Sequence, residues 1–379
     1  MFQLQPLPVL PVGGDPAPGF VQRTHANPRF SFDSAAGRYL VLGFAGSGGD
    51  PAVQRAMRAI MARRDLFDDE HASFFAVTQD PQDEAQGRLA DRLPGCRIFW
   101  DFDHRIARRY RLIDRHVQGA DPRALPRFWL VIDPTMRVIE NIPFAPDGSD
   151  VIRLLDLVAG LPPPGGFAGV PLQAPILFLP RVFEPELCRH LIALYDRHGG
   201  EESGFMRQEG ARTVAASDAR FKRRKDYVIR DTELIAQIQA RFVRRVIPEI
   251  AKAHHFAATR MERYIVSCYD ARDGGHFAAH RDNTTTGTAH RRFAVSINLN
   301  DDFQGGEVGF PEYGPRSFKA PAGGAVVFSC SLLHRVGQVT AGRRFAFLPF
   351  LYDEAAAKIR ETNAQSVGAA GAGPQRAVP

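Results

Sequence analysis

The segment Leu161–Pro171, LPPPGGFAGVP, limits the folds open to this 379-residue chain more than any other feature. Proline fixes φ and has no backbone N–H to donate, and consecutive glycines favour neither helix nor strand. No helix or central strand can therefore run through it, and residues 161–173 read as a linker between two differently patterned regions. The length allows each region a core of its own. With 44% hydrophobic and 24% charged residues, the composition is that of ordinary folded domains rather than of a disordered chain.

Before the linker, strand-like and helix-like runs alternate. Tyr39–Ala45 (YLVLGFA) and Ser73–Thr78 (SFFAVT) are apolar runs of strand length, each followed by a helical pattern, Pro51–Arg63 and Gln82–Leu93. Phe128–Asp133 (FWLVID) and Val138–Ile139 then predict a strand, a turn and its return. This order implies a small α/β sheet with helices on its faces. Over residues 12–160 it resembles a peroxiredoxin-like member of the thioredoxin fold, in the opening GDPAPGF at Gly14–Phe20 and in FWLVIDPTMRVI at Phe128–Ile139. The family's peroxide-reducing cysteine follows the first long strand, at the start of a helix. Here that place reads AGSGGDPAVQRAM, without a thiol. Thiolate is the nucleophile that attacks peroxide, and neither serine nor glycine replaces it. The resemblance implies the fold without the peroxidase activity. A scaffolding or substrate-recruiting role, or contact between subunits of a homodimer, is the expectation that remains.

After the linker, Glu184–Asp196 (EPELCRHLIALYD) repeats Leu187, Leu191 and Leu194 at three- and four-residue steps, predicting an amphipathic helix, and a second helix is expected over Thr232–His254. The period then shifts towards two. MERYIVSCYD, RRFAVSINLN, GAVVFSC and RRFAFLPFLYD read as short strands between glycine, proline and polar turns, which predicts a double-sheet barrel buttressed by helices over residues 174–354. Residues 355–379, ending in TNAQSVGAAGAGPQRAVP, are small and polar and read as a disordered tail.

The chemistry concentrates here. In His280-Arg281-Asp282 two potential ligands stand two residues apart, and side chains two apart share one side of an extended strand. His334 follows just beyond the apolar run Ala325–Phe328. Two imidazoles and a carboxylate make a facial triad that leaves three positions open on Fe(II), two for a chelating cosubstrate and one for dioxygen. Arg344, in GRRFAFLPF, alternates in phase with Ala346 and Leu348 and is predicted deep among apolar groups. An unpaired guanidinium there is costly, and a bidentate partner such as the distal carboxylate of 2-oxoglutarate would resolve that cost. Arg343 points the other way, towards a surface ion pair. Each element alone has a bland reading: HxD arises often near turns, Asp282-Asn283 forms an Asx-turn, and a lone His334 caps a core.

Taken together, RYIVSCYDARDGGHFAAHRDN, RRFAVSINLNDDFQGGEVGF, APAGGAVVFSCSLLHRV and TAGRRFAFLPF resemble the Fe(II)/2-oxoglutarate dioxygenases, specifically the prolyl-4-hydroxylase-like branch, across about residues 175–354. The resemblance implies a double-stranded β-helix, or jelly roll, with flanking helices. It implies His280, Asp282 and His334 as catalytic iron ligands and Arg344 as the cosubstrate anchor. It also implies cosubstrate contacts from Tyr269 and from Asn298, which stands where some relatives carry a tyrosine. The implied reaction hydroxylates an unactivated C–H of a protein residue or small metabolite, consuming dioxygen and 2-oxoglutarate and releasing succinate and carbon dioxide, with ascorbate as a reductant. Halogenation is excluded, because it requires a small residue in place of Asp282. His276, four residues before His280, lies about 13 Å from it in an extended segment and reads as lid or substrate surface.

Other classes find less support. A net charge of +6 is modest, and the basic runs Arg105–Asp114 (with Arg115) and Lys222–Lys225 (KRRK) do not make up the coherent basic face with stacking aromatics that a nucleic-acid module needs. They read as a solvated helix face or turn, with KRRK able to steer an acidic partner. The segment Gly204–Asp226 and the loop Thr284–Arg291 are expected to cover the opening of the site. No run approaches a membrane span, and MFQLQPLPVLPVGGDPAPGF lacks the basic start and apolar run of a secretory signal, which leads to a cytoplasmic expectation. Cys96, Cys188, Cys268 and Cys330 stand singly in or beside apolar segments and read as buried reduced cysteines. Two rival accounts remain: a scaffold with a vestigial metal site, and a thiol redoxin, against which the missing cysteine counts.

Overall fold

The computed structural model describes residues 10–113, 121 and 124–367. Asp114 and Arg115 of the first basic run lie outside the described residues, as do residues 1–9 of the N-terminal stretch and residues 368–379 of the expected tail. The chain divides into two compact units after Gln173, with Pro311–Pro315 grouped with the first.

In the first unit, five strands stand in the order Cys96–Trp100, Ala72–Thr78, Tyr39–Gly46, Phe128–Ile132, Val138–Pro143. The first three are mutually parallel and the last two antiparallel. A βαβ unit followed by a hairpin and a closing helix, Ser149–Ala159, is the thioredoxin-like arrangement. Tyr39–Gly46 is buried at all eight positions, as a central strand covered on both faces must be. Gly43 lies opposite Trp129, and a Cβ there would come within 2.3 Å of the indole, so only glycine lets the large ring cross the strand. The helix Pro51–Ala62 starts on Asp50, whose carboxylate accepts from the Ala52 amide at 2.7 Å and pairs with Arg127. Cys96 opens a different strand, and burial pushes its thiol up to about 11.

The expected helix Gln82–Leu93 is corrected to one short turn, Pro81–Ala85. Gly87 follows in the left-handed region, at φ 60°, and carries the chain out of the helical path.

In the second unit the helix Pro185–His198 buries Leu187, Leu191 and Tyr195. The expected single helix over Thr232–His254 is in fact two, Thr232–Arg245 and Ile247–His254, broken at Val246. Pro248 explains the break, since it removes an N–H and its ring clashes with a continuing helix upstream. Two sheets follow. The larger runs Arg260–Glu262, Phe350–Tyr352, Phe293–Asn298, Arg343–Phe347, Ile265–Asp270, Lys225–Val228, Glu201–Glu202, with Ala325–Ser329 paired to Phe293–Asn298 and to Leu177–Leu179. The smaller runs Lys222–Arg223, His276–His280, His334–Val336, Val308–Gly309, Ser317–Phe318. These antiparallel sheets make the jelly roll. The helices cover the larger sheet's outer face, around a core that includes Leu191, Ile238, Phe242, Val266, Val295 and Phe347.

The start of the expected disordered tail is also corrected. Glu354–Asn363 forms a helix, capped by Asp353 accepting from the Ala356 amide at 2.9 Å. Its composition is polar, but Ala356 is buried and Arg360 bonds the Tyr352 hydroxyl, so tertiary contacts hold it. Among the described residues no helix is long and apolar enough to cross a membrane.

Candidate metal and cosubstrate site

His280 and His334 end and begin neighbouring antiparallel strands of the smaller sheet and are direct cross-strand partners. The register shifts between Phe277 and His280, an irregularity that re-aims side chains locally. The two imidazoles end 4.2 Å apart, centre to centre. Asp282, two residues past its strand, is tied down by its amide donating to Cys330 O at 2.9 Å. One ligand atom from each of the three residues lies within 4.8 Å of the others.

Backbone carbonyls set the imidazole tautomers. His280 Nδ1 lies 2.7 Å from Ala278 O, and His334 Nδ1 lies 3.0 Å from Leu332 O. A carbonyl only accepts, so each Nδ1 carries the proton and each Nε2 lone pair is left for a metal. Those Nε2 atoms stand 3.5 Å and 3.3 Å from the Asp282 oxygens. Burial, with His280 beside it, lowers His334 to about 4, so it is neutral near pH 7. Burial alone would raise the Asp282 pKa, but His334 and His280 outweigh it and keep the carboxylate ionised. Two imidazoles that turn Nε2 towards one carboxylate suit Fe(II) with open positions opposite.

Arg344 is 1% exposed and stands directly across from Tyr269 on the neighbouring strand. Its Nε donates to Asn298 Oδ1 at 2.9 Å and its Nη2 to Ser296 Oγ at 2.8 Å, while Nη1 has no partner among the described residues. Among the described residues no carboxylate pairs directly with the guanidinium, and burial lowers its pKa against the opposing pull of Tyr269 and Glu307. A carboxylate approaching Nη1 fits this group. Arg343, one residue away on the opposite face, pairs with Asp196 at the surface at 2.9 Å.

Asn298 turns both ends of its amide to the protein, since Nδ2 donates to Ala320 O at 2.7 Å. Ser296, which sequence reasoning missed, is legible in retrospect: it stands two residues from Asn298 and so shares its face of the strand. Tyr269 is 1% exposed and lies between two guanidinium groups, with Arg344 at 5.3 Å and Arg224 at 5.7 Å from its ring centre.

Arg224 is the second missed residue, and it corrects the reading of KRRK as a solvated face. Lys222 and Arg224 are 7% and 5% exposed, and Arg223 and Lys225 point the other way. The run is extended, so alternate side chains turn inward. Lys222 donates to Ser203 Oγ and Gly204 O, and burial, reinforced by Arg224, lowers it to about 5. Arg224 lines a cavity of about 60 Å3 together with His280, Asp282, His334, Tyr269 and Ser296.

His276 is not a ligand: its Nδ1 faces Gly274 O at 2.8 Å and its Nε2 faces Arg220 O at 3.1 Å. The two segments expected as covers are joined to each other. Gly204–Asp226 contains the hairpin Phe205–Glu209 with Arg212–Ala216, and its Gln208 and Thr213 side chains accept from the Thr286 and Gly287 amides of the other loop.

Comparison with known proteins agrees with this geometry. Residues 264–352 match the 2OG-Fe(II) oxygenase superfamily. The chain is similar to a PKHD-type hydroxylase of Hyphomonas neptunium, 27% identical over 155 residues, covering 38% of this chain and 66% of that protein. It is also similar to one of Cupriavidus metallidurans, 29% identical over 182 residues, covering 45% and 75%. Against the first four curated relatives the chain spans between 39% and 66% of their length. Among solved structures, a Pseudomonas putida prolyl-4-hydroxylase aligns at 16% identity and TM-score 0.37, over 48% of this chain and 94% of that one. The peroxidoxin BcpB of Mycobacterium tuberculosis aligns at 17% identity and TM-score 0.34, over 40% and 99%. The match to the 2OG-Fe(II) oxygenase superfamily is confined to residues 264–352, and that stretch contains all three members of the triad and Arg344.

Proposed function

We propose that this protein is an Fe(II)- and 2-oxoglutarate-dependent hydroxylase acting on an unactivated C–H of a protein residue or a small metabolite. The observation that carries the reading is the pairing of a three-ligand cluster with the unpartnered Nη1 of a buried arginine in the same barrel. A vestigial metal site has no use for that uncompensated charge, which costs stability wherever no anion meets it. Iron, when bound, supplies the activation of dioxygen. 2-Oxoglutarate supplies the two reducing electrons as it becomes succinate and carbon dioxide, and the chain binds and orients the reactants. His280, Asp282 and His334 hold the metal, with the imidazole protons locked on Ala278 O and Leu332 O. Arg344 holds the distal carboxylate of 2-oxoglutarate, its fork oriented by Asn298 and Ser296, so Asn298 acts behind the anchor. Tyr269 forms a wall of the cosubstrate cavity, and the barrel interior excludes water from the reacting C–H.

The N-terminal unit contributes no thiol chemistry in this reading. Its one cysteine, Cys96, is buried and held protonated.

The test is an anaerobic titration with Fe(II) and then 2-oxoglutarate, following the visible metal-to-ligand charge-transfer band of such complexes. The wild-type protein is expected to form the band and Asp282→Ala to lose it together with bound iron. Absence of the band in the wild type, or its survival in both His280→Ala and Asp282→Ala, refutes the reading.

A further inference from the structure

The strand that carries KRRK brings a second buried guanidinium to the wall of the iron cavity, and nothing in the reaction described so far uses it. Arg224 is 5% exposed. Its Nη1 donates to the Tyr269 hydroxyl at 3.3 Å, and its Nη2 donates to Ser203 Oγ at 3.0 Å and Asp226 Oδ2 at 2.7 Å. Among the described residues its Nε has no partner. Asp226 cannot take up that donor. Its Oδ2 already accepts from Ser203, Arg224 and Arg263, and its Oδ1 accepts from Ser267 at 2.6 Å. One carboxylate thus serves two arginines, and both arginines line the cavity that holds the three metal ligands. A buried N–H without an acceptor is costly unless a ligand meets it, and a carboxylate oxygen supplies that acceptor. The Tyr269 hydroxyl accepts from Arg224, which leaves its own proton free to donate into the cavity, towards the same anion.

We infer that Arg224, with the Tyr269 hydroxyl it orients, is a second carboxylate-binding point of the iron cavity, distinct from Arg344. This rests on the hydroxylase reading above. The carboxylate has two chemical sources: the metal-proximal carboxylate of 2-oxoglutarate, or an acidic group on the molecule being hydroxylated.

Both sources are tested with the full-length, Fe(II)-loaded protein. In the first arm 2-oxoglutarate is titrated anaerobically by the charge-transfer band, in the wild type, Arg224→Gln and Arg224→Lys. In the second arm succinate release without added substrate is measured at saturating 2-oxoglutarate, with propionate or its uncharged counterpart propionamide. If the cosubstrate is the source, Arg224→Gln weakens 2-oxoglutarate binding at least tenfold and shifts the band, and Arg224→Lys recovers part of both. If the source is the substrate, 2-oxoglutarate binding is unchanged, while propionate alters wild-type turnover, propionamide does not, and Arg224→Gln abolishes the difference. No change in either arm overturns the inference while the wild-type band leaves the hydroxylase reading standing; a wild type without the band overturns both. Because Arg224→Gln leaves Asp226 short of a partner, the double variant Arg224→Gln/Asp226→Asn is carried through the same arms. If it folds by near-ultraviolet circular dichroism and binds both ligands as the wild type does, the inference fails.

Discussion

Replacing Arg344 by methionine separates two quantities that ordinarily fall together, stability and ligand affinity. In the free protein Arg344 is a buried cation held by two hydrogen bonds to neutral acceptors, Asn298 Oδ1 and Ser296 Oγ, with Nη1 unpaired. The substitution strands those two acceptors, at a cost of about 1–2 kcal/mol each. It also removes an uncompensated buried charge, and replacing such groups by packed apolar ones is often neutral or stabilising by about 1–4 kcal/mol. The two effects are similar and opposite, so the net change in stability is expected within about 2 kcal/mol. For a unit of this size that is a shift in melting temperature of no more than roughly 8 °C. Binding has no such offset. The charge-assisted contact to the distal carboxylate is lost outright, about 3 kcal/mol, which corresponds to a roughly 150-fold rise in Kd. The assay pairs calorimetric melting of the ligand-free protein with the anaerobic 2-oxoglutarate titration. An unfolded variant, or one that melts much lower yet binds 2-oxoglutarate as before, refutes the assignment and makes Arg344 a structural residue.

Two further outcomes are expected. All four cysteines are buried and unpaired, and burial raises each thiol, so native protein at pH 8 should release essentially no colour with a thiol-specific disulfide reagent and the denatured protein should titrate four; a fast-reacting native thiol would revive the redoxin account. Lys222 has its pKa lowered to about 5 by burial and then by Arg224, so the folded state binds fewer protons than the unfolded one between about pH 5 and the ordinary lysine value of 10.5. Over that window the Lys222 contribution to stability rises with pH, and Lys222→Met should flatten the rise, most visibly as greater stability than wild type near pH 6; an equal change in unfolding free energy between pH 6 and pH 9 for both proteins would refute it.

Much of this was legible from the residues alone. The apolar runs mark the strands, and the absence of a thiol at the first helix start is read directly from AGSGGDPAVQRAM. His280, Asp282, His334 and the inward phase of Arg344 are also local properties, because a strand's period of two decides which neighbours share a face. Local pattern fails where a distant partner decides the outcome. The helix over Glu354–Asn363 exists because Ala356 and Arg360 find buried contacts, which no composition rule foresees. KRRK carries four like charges and reads as solvated, yet Asp226, Ser203 and Tyr269 draw Lys222 and Arg224 inside. Asn298 and Ser296 could be placed on the right strand from sequence, but only the packing of Phe293–Asn298 beside Arg343–Phe347 turns them towards the guanidinium. The sequence by itself determined which groups could do chemistry. The tertiary structure decided which charges go without a counter-ion, because that depends on every partner the fold brings within hydrogen-bonding reach.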